Sequence, residues 1–221
     1  MGDILSNYDI LGAFWVTIQL SVLSAIGALL IGTVVAILRV SPVRTLRLLG
    51  TSYVNIIRNT PLTLLMVFSI LGLSFILGIT LSSNLSRNAY LWAVVVLAVY
   101  HAAFVCEALR SGVNTVPAGQ AEAARSIGLT FAQSMREVLL PQAFRGAIAP
   151  LGSTLIALVK NTTVAAVILG TEESAGLLAK ITENEGASLP TFFLFALGFV
   201  ILTLPIGVLF THLSQRLAVK R

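Results

Sequence analysis

Charged side chains are scarce in this sequence, at 10% of 221 residues, where soluble domains carry about 25%. With 57% hydrophobic residues and a mean hydropathy of +0.94, that scarcity excludes a soluble domain and implies a bundle of membrane helices. Cysteine is nearly absent: Cys106 stands alone in an apolar stretch, so it has no disulfide partner in the chain and reads as a small buried apolar group. The segment Met1 to Leu11 carries Asp3 and Asp9 but no Lys or Arg. It lacks the positive start of a cleavable signal peptide, and the first span is expected to be retained. No Walker motif occurs, so the chain does not bind ATP in the usual way. Half-to-half repeats of the kind many secondary transporters show are missing, as are the carbonyl filter and acidic ring of an ion channel. A net charge of +5 and a pI near 9.9 invite a nucleic-acid reading. The basic residues are scattered between apolar spans, however, which is the pattern of a membrane topology bias instead.

What is present is an all-α membrane protein. A bilayer-crossing helix needs about 20 mainly apolar residues, and five stretches qualify, at 12–38, 51–78, 89–110, 149–170 and 190–213. A longer polar segment, 111–148, separates the third from the fourth, and the whole chain, 1–221, reads as one domain. Arg39, Arg44 and Arg47 follow the first span; Arg110, Arg125, Arg136 and Arg145 flank or lie in the long segment; Arg216, Lys220 and Arg221 close the chain. The opposite side carries only Arg87 and Lys180 against Asp3, Asp9, Glu172, Glu173, Glu183 and Glu185. Positive charge stays in the cytoplasm, so the expected topology puts the N-terminus outside and the C-terminus and 111–148 inside. On the outer side, Thr171 to Thr182 reads as a short amphipathic helix capped by Thr171, with Glu172 and Glu173 on its first turn and Leu177, Leu178 and Ile181 as its apolar face. It suits either a plug over the outer mouth or contact with a delivery protein.

The long polar segment holds the most specific pattern. Ala121, Ala124 and Gly128 recur at helical spacing and give a face of nearly bare backbone that permits close docking into another protein. Glu122 and Arg125, three apart, are placed to pair; Gly128 suits the helix end and Pro141 marks a second break. The order Glu122-Ala123-Ala124, three residues, Gly128, nine residues, Val138, one residue, Leu140-Pro141 resembles the EAA loop of binding-protein-dependent ABC importer permeases. Arg58-Asn59-Thr60-Pro61-Leu62 resembles the Arg-Gly-Thr-Pro-Leu segment of the polar amino acid permeases, with Asn59 in place of Gly. Leu155-Ile156-Ala157-Leu158-Val159-Lys160-Asn161-Thr162-Thr163 resembles their Leu-Lys-Asp-Thr-Ser segment, with Asn161 in place of Asp. The likeness covers about residues 12–217. The runs Phe14–Ile18, Arg39–Val43 and Arg58–Leu64 and the ending from Leu217 look closest to the glutamate-importer permeases of actinobacteria, the shorter of the two in each importer.

This resemblance implies a type I importer permease in a bacterial plasma membrane. It implies a second, homologous permease chain, a dimer of ATPase subunits that bind ATP and magnesium, an extracytoplasmic substrate-binding protein, and no cofactor on this chain. It makes Ala118–Leu129 the coupling helix, with Ala121, Glu122, Ala123, Ala124, Arg125, Gly128 and Leu129 seated in the ATPase. Aspartate and glutamine stand beside glutamate as alternative substrates, and a secondary amino acid transporter is the rival class.

Several polar groups fall inside the apolar spans. A lysine at the bilayer centre costs about 2.5–3.5 kcal/mol on insertion scales, so Lys160 needs a watery cavity or a partner. Arg58 is the second such cation, beside a kink at Pro61. Two readings stay open: an internal ion pair of Lys160 or Arg58 with Glu107, or a substrate site lined by Lys160, Asn161, Thr162, Thr163, Arg58, Asn59 and Thr60. A net positive cavity suits an acidic amino acid, and Asn161 in place of Asp removes a repelling charge. His101 reads as a hydrogen-bonded interior histidine in preference to a proton relay, and Trp15 and Trp92 as interfacial anchors.

Overall fold

The computed structural model describes residues 2–217; expectations resting on Met1, Lys220 and Arg221 lie outside them. Among the described residues the structure is helical throughout, without strands. After a short α1 (Gly2–Asn7), Asp9 starts α2 (Ile10–Val40) by accepting the Gly12 amide at 2.8 Å, the capping role that a short carboxylate performs at a helix start. Helices α3 (Arg44–Arg58) and α4 (Leu62–Ile76) follow, then α5 (Leu85–Val113), α6 (Ala118–Ser126), α7 (Phe131–Glu172), α8 (Ser174–Glu185) and α9 (Leu189–Leu217).

The second expected span, 51–78, is not one rod. Helices α3 and α4 meet at 99°. Pro61 has no N–H and sits extended at the start of α4 (φ −61°, ψ 131°), so the hydrogen-bond ladder cannot run through it. Asn59 and Thr60 turn back instead, donating from their side chains to the Asn55 and Ile56 carbonyls at 2.7 and 2.8 Å and satisfying the last acceptors of α3. Among the described residues four helices (α2, α5, α7 and α9) are long and apolar enough to cross a membrane, and the bent pair makes five if it counts as one span.

Helix α5 is the axis of the bundle: 61% of its apolar window is buried, against 6% for the peripheral α9. Small residues let its neighbours approach closely, as between helices in a membrane, where packing replaces the hydrophobic effect. A Cβ on Gly32 of α2 would lie 2.8 Å from the Ala102 carbonyl of α5, and one on Gly112 of α5 would run into the Ala143 carbonyl of α7. One core joins Ala28, Val35 and Ala36 of α2 to Ala103, Cys106 and Leu109 of α5 and Ala147 of α7. Cys106 is fully enclosed, as its composition-based reading anticipated. Trp92 is enclosed too, at 7% exposure, which corrects its assignment as an interfacial anchor; Trp15 is exposed.

The polar stretch 111–148 is helical over most of its length. Thr130 and Gln133 form a reciprocal capping box (2.9 and 3.3 Å) that starts α7 eighteen residues before the expected span. Pro141 does not break this helix. Wide π-type turns over Ser134–Leu139 precede it, and the change in pitch absorbs a residue that cannot donate.

At the opposite end, α8 packs Leu177 and Ile181 against Ile10, Ala13 and Phe195, which agrees with the expected apolar face. Its cap is Glu173, not Thr171: the Glu173 carboxylate accepts from the Ala175 amide at 2.7 Å and from Thr17 and Ser174 hydroxyls at 3.1 and 2.7 Å. Thr171 and Glu172 lie in a tight turn before the helix. Burial pushes the Glu173 carboxyl above its ordinary value.

Candidate functional site

Helix α5 organises the polar interior. His101, Phe104, Glu107 and Arg110 follow one another at three-residue spacing, so each neighbours the next along a strip that winds around the helix, from the buried His101 to the exposed Arg110. Glu107 gathers three cations. Arg39 of α2 is hydrogen-bonded to Oε1, Arg110 reaches Oε2 at 2.9 Å, and Arg58 at the end of α3 lies 3.7 Å from Oε1. Three guanidiniums against one carboxylate leave the cluster with a charge of +2. The Arg58 guanidinium also stands 5.5 Å from the Phe104 ring centroid, within cation–π range. Phe104 packs with Tyr100 (5.3 Å) and His101 (6.1 Å).

His101 is 1% exposed. Its Nδ1 meets the Leu97 carbonyl at 3.0 Å and its Nε2 meets the Asn161 amide nitrogen at 3.2 Å. A ring with Nδ1 protonated donates to the carbonyl and accepts from Asn161, so both groups are satisfied. This is the interior histidine that the sequence suggested, with a partner that it did not reveal. Through the aromatic trio, α5 links the Arg58 segment to the Lys160–Asn161 segment.

The expected site residues divide sharply. Lys160 is exposed and meets no acid among the described residues. Its pairing with Glu107 is not formed. Asn161, beside Lys160, is anchored at His101, and six residues of α5 separate His101 from Glu107, about 9 Å along the axis. The Arg58–Glu107 pair is present, but Arg39 and Arg110 are the closer partners. Thr162 is fully buried, and its hydroxyl donates to the Val159 carbonyl at 2.8 Å. Thr163 donates likewise to Lys160 at 2.8 Å. Asn59 and Thr60 are committed to the α3 terminus, as described above. Lys160, Asn161 and the half-exposed Arg58 therefore carry the open polar chemistry, joined by Tyr100, His101 and Phe104. The i+3 run from His101 to Arg110 was the available signal for this strip. Arg39 and Arg110 were read only as topology markers.

Helix α6 projects from the other end of the bundle. Ala124 is buried and Ala121 half-buried, so the bare-backbone face turns inward onto the chain itself, not toward a partner. The outward face presents Gly119, Gln120, Glu122 and Ala123, followed by Ile127 at 77% exposure. Glu122 and Arg125 do not pair. Gly128 ends the helix at φ +83°. The amides of Gly128 and Leu129 donate to Arg125 and Ala124 at 2.9 and 3.1 Å, the paired bonds of a Schellman motif.

Residues 28–219 match the model for the inner membrane component of binding-protein-dependent transport systems. The chain belongs to that family. It is 52% identical to the glutamate transport system permease GluC of Corynebacterium glutamicum, with 96% of each chain aligned. It is 34% identical to a probable glutamine ABC transporter permease, GlnM of Bacillus subtilis, over 92% of this chain and 91% of the relative. Among solved structures, an amino acid ABC transporter with histidines superposes with a TM-score of 0.78 at 28% identity, covering 94% and 93% of the two chains. The inward-facing MetNI methionine transporter superposes at 0.76 and 24% identity over 95% and 96%; that likeness is one of fold. The permease fold that the Glu122–Pro141 spacing implied is thus the one observed, and family membership identifies the chain as a membrane transport subunit.

Proposed function

We propose that this permease forms half of the translocation pathway of an ATP-driven, binding-protein-dependent importer of L-glutamate in a bacterial plasma membrane. The 52% identity to a glutamate permease over 96% of both chains carries the reading. The electrostatics agree with it. Glutamate brings two carboxylates and one ammonium; α5 offers the +2 cluster at Glu107, α7 offers the open Lys160, and among the described residues no acid pairs with Lys160. The basic residues Arg44, Arg47, Arg125, Arg136 and Arg216 belong to the end that bears α6 and the close of α9. That distribution supports a cytoplasmic location for this end and an outer one for the Asp9 and α8 end.

The pathway is completed by a second, homologous permease. The outward face of α6, from Gly119 to Ile127 and ending at Gly128, seats in a dimeric ATPase, where ATP and magnesium bind. Residues 1–221 act as one transmembrane domain that takes part in no chemistry and holds no cofactor. ATP-driven closure of the ATPase pushes α6, and α7, which runs on from it, transmits the movement to the Lys160–Asn161 segment. An outer binding protein delivers substrate over α8.

The 34% identity to a glutamine permease keeps a second substrate in view, and Asn161 separates the two. In vesicles holding the whole complex, unlabelled glutamate is expected to displace labelled glutamate at least tenfold better than glutamine does. Asn161→Asp is expected to reduce glutamate uptake about tenfold or more, because a carboxylate placed near the substrate's own repels it. Equal competition by glutamine would overturn the glutamate assignment. Unchanged uptake by the Asn161→Asp form would remove Asn161 from the site.

A further inference from the structure

A cavity of about 530 Å³ lies on the inward side of α6, between that helix, the α2–α3 connection and the first turns of α7. Its size is that of a small-ligand pocket, about 300–1,000 Å³. Arg47 of α3 and Arg125 of α6 line it. Neither guanidinium meets a carboxylate among the described residues. Arg47 gives one hydrogen bond to the Ser41 carbonyl at 3.1 Å, which leaves most of its fork free. Ser134, also on the wall, is 5% exposed, and its hydroxyl has no hydrogen-bond partner. Leu129, Met135 and Leu139 complete an otherwise apolar lining.

We propose that this cavity binds the phosphate group of an anionic amphiphile, with Arg47 and Arg125 on the phosphate oxygens and the apolar wall, which Ser134 joins, against the hydrocarbon part. Guanidinium pairs suit a group with several charged oxygens. Basic pockets between helices at the cytoplasmic membrane surface take anionic lipid headgroups. A phosphate ester free in the cytoplasm offers the same headgroup chemistry. Occupancy ties α6 to α3 and α7 through one ligand and so braces the segment that meets the ATPase. That consequence rests on the reading of α6 as the coupling helix; the binding itself does not.

Native mass spectrometry of the delipidated, detergent-solubilised complete transporter tests the site without any transport step. The complex is titrated with dioctanoyl phosphatidylglycerol, dioctanoyl phosphatidylcholine and glycerol phosphate. Phosphatidylglycerol is expected to bind at least tenfold more tightly than phosphatidylcholine. The Arg47→Gln/Arg125→Gln form is expected to lose that preference. Ser134→Leu, which fills the cavity and keeps both charges, is expected to lose it as well, whereas Arg44→Gln, which alters an arginine outside the lining, keeps it. Displacement of the lipid by glycerol phosphate at similar concentration supports the site with a soluble ester as its ligand; failure to displace supports it with the lipid. Equal binding of both lipids by the parent complex, or an unchanged preference in both cavity variants, overturns the proposal.

Discussion

Replacing Lys160 with methionine is expected to abolish glutamate uptake by the reconstituted complex, a fall of at least about thirtyfold, while assembly and basal ATP hydrolysis persist. The magnitude follows from removing a charge that pairs with a desolvated carboxylate, worth about 2–5 kcal/mol. Lys160 is exposed and has no acidic partner among the described residues, although α7 is apolar enough to cross a membrane. An intramembrane cation without a structural counter-ion faces a watery path or a ligand. Methionine is unbranched like lysine, only one atom shorter, and more at home in lipid, so the fold tolerates the exchange. Uptake of labelled glutamate and ATPase rate, measured on the same vesicles, separate loss of transport from loss of the complex. Normal uptake would remove Lys160 from the pathway.

Exchange of Gly128 for valine is expected to uncouple the machine. Gly128 has a φ of +83°, and no atom lies within 4 Å of where a Cβ would stand. The penalty is therefore one of backbone conformation: about 1–2 kcal/mol for an ordinary L-residue in the left-handed region, and more for a β-branched one. The Schellman bonds at Arg125 and Ala124 would open, and the outward face of α6 would lose its fixed end. We expect substrate-stimulated ATP hydrolysis and uptake to fall at least tenfold in Gly128→Val, with binding-protein docking retained. Gly128→Asn, which tolerates this conformation, should stay within about threefold of the parent. If both variants transported normally, the α6 terminus would have no part in coupling.

Much of this molecule was legible from local pattern. The spans 12–38, 89–110 and 190–213 lie inside α2, α5 and α9 because long apolar runs need no tertiary information. Gly128 and the Leu177–Ile181 face were likewise readable from turn chemistry and periodicity. What eluded the sequence was set by contacts between distant residues. The 99° bend at Pro61 exceeds the kink a proline alone suggests, because Asn59 and Thr60 fold back to close α3. Ala124 suggested an outward docking face, but the start of α7 covers it. Trp92 has the composition of an anchor and the location of a core residue. The His101–Asn161 contact joins residues sixty positions apart, and nothing in either segment announces it. Arg39 is the main partner of Glu107, yet in sequence it stands with Arg44 and Arg47 as a topology marker.

The most direct test of the account is the energy source of uptake. Vesicles are prepared with both permeases, the ATPase dimer and the binding protein, and labelled glutamate is supplied on the side bearing α8. The account predicts uptake only when ATP reaches the α6 side and the binding protein is present, with none driven by a sodium or proton gradient in the absence of ATP. Accumulation driven by an ion gradient alone would contradict it.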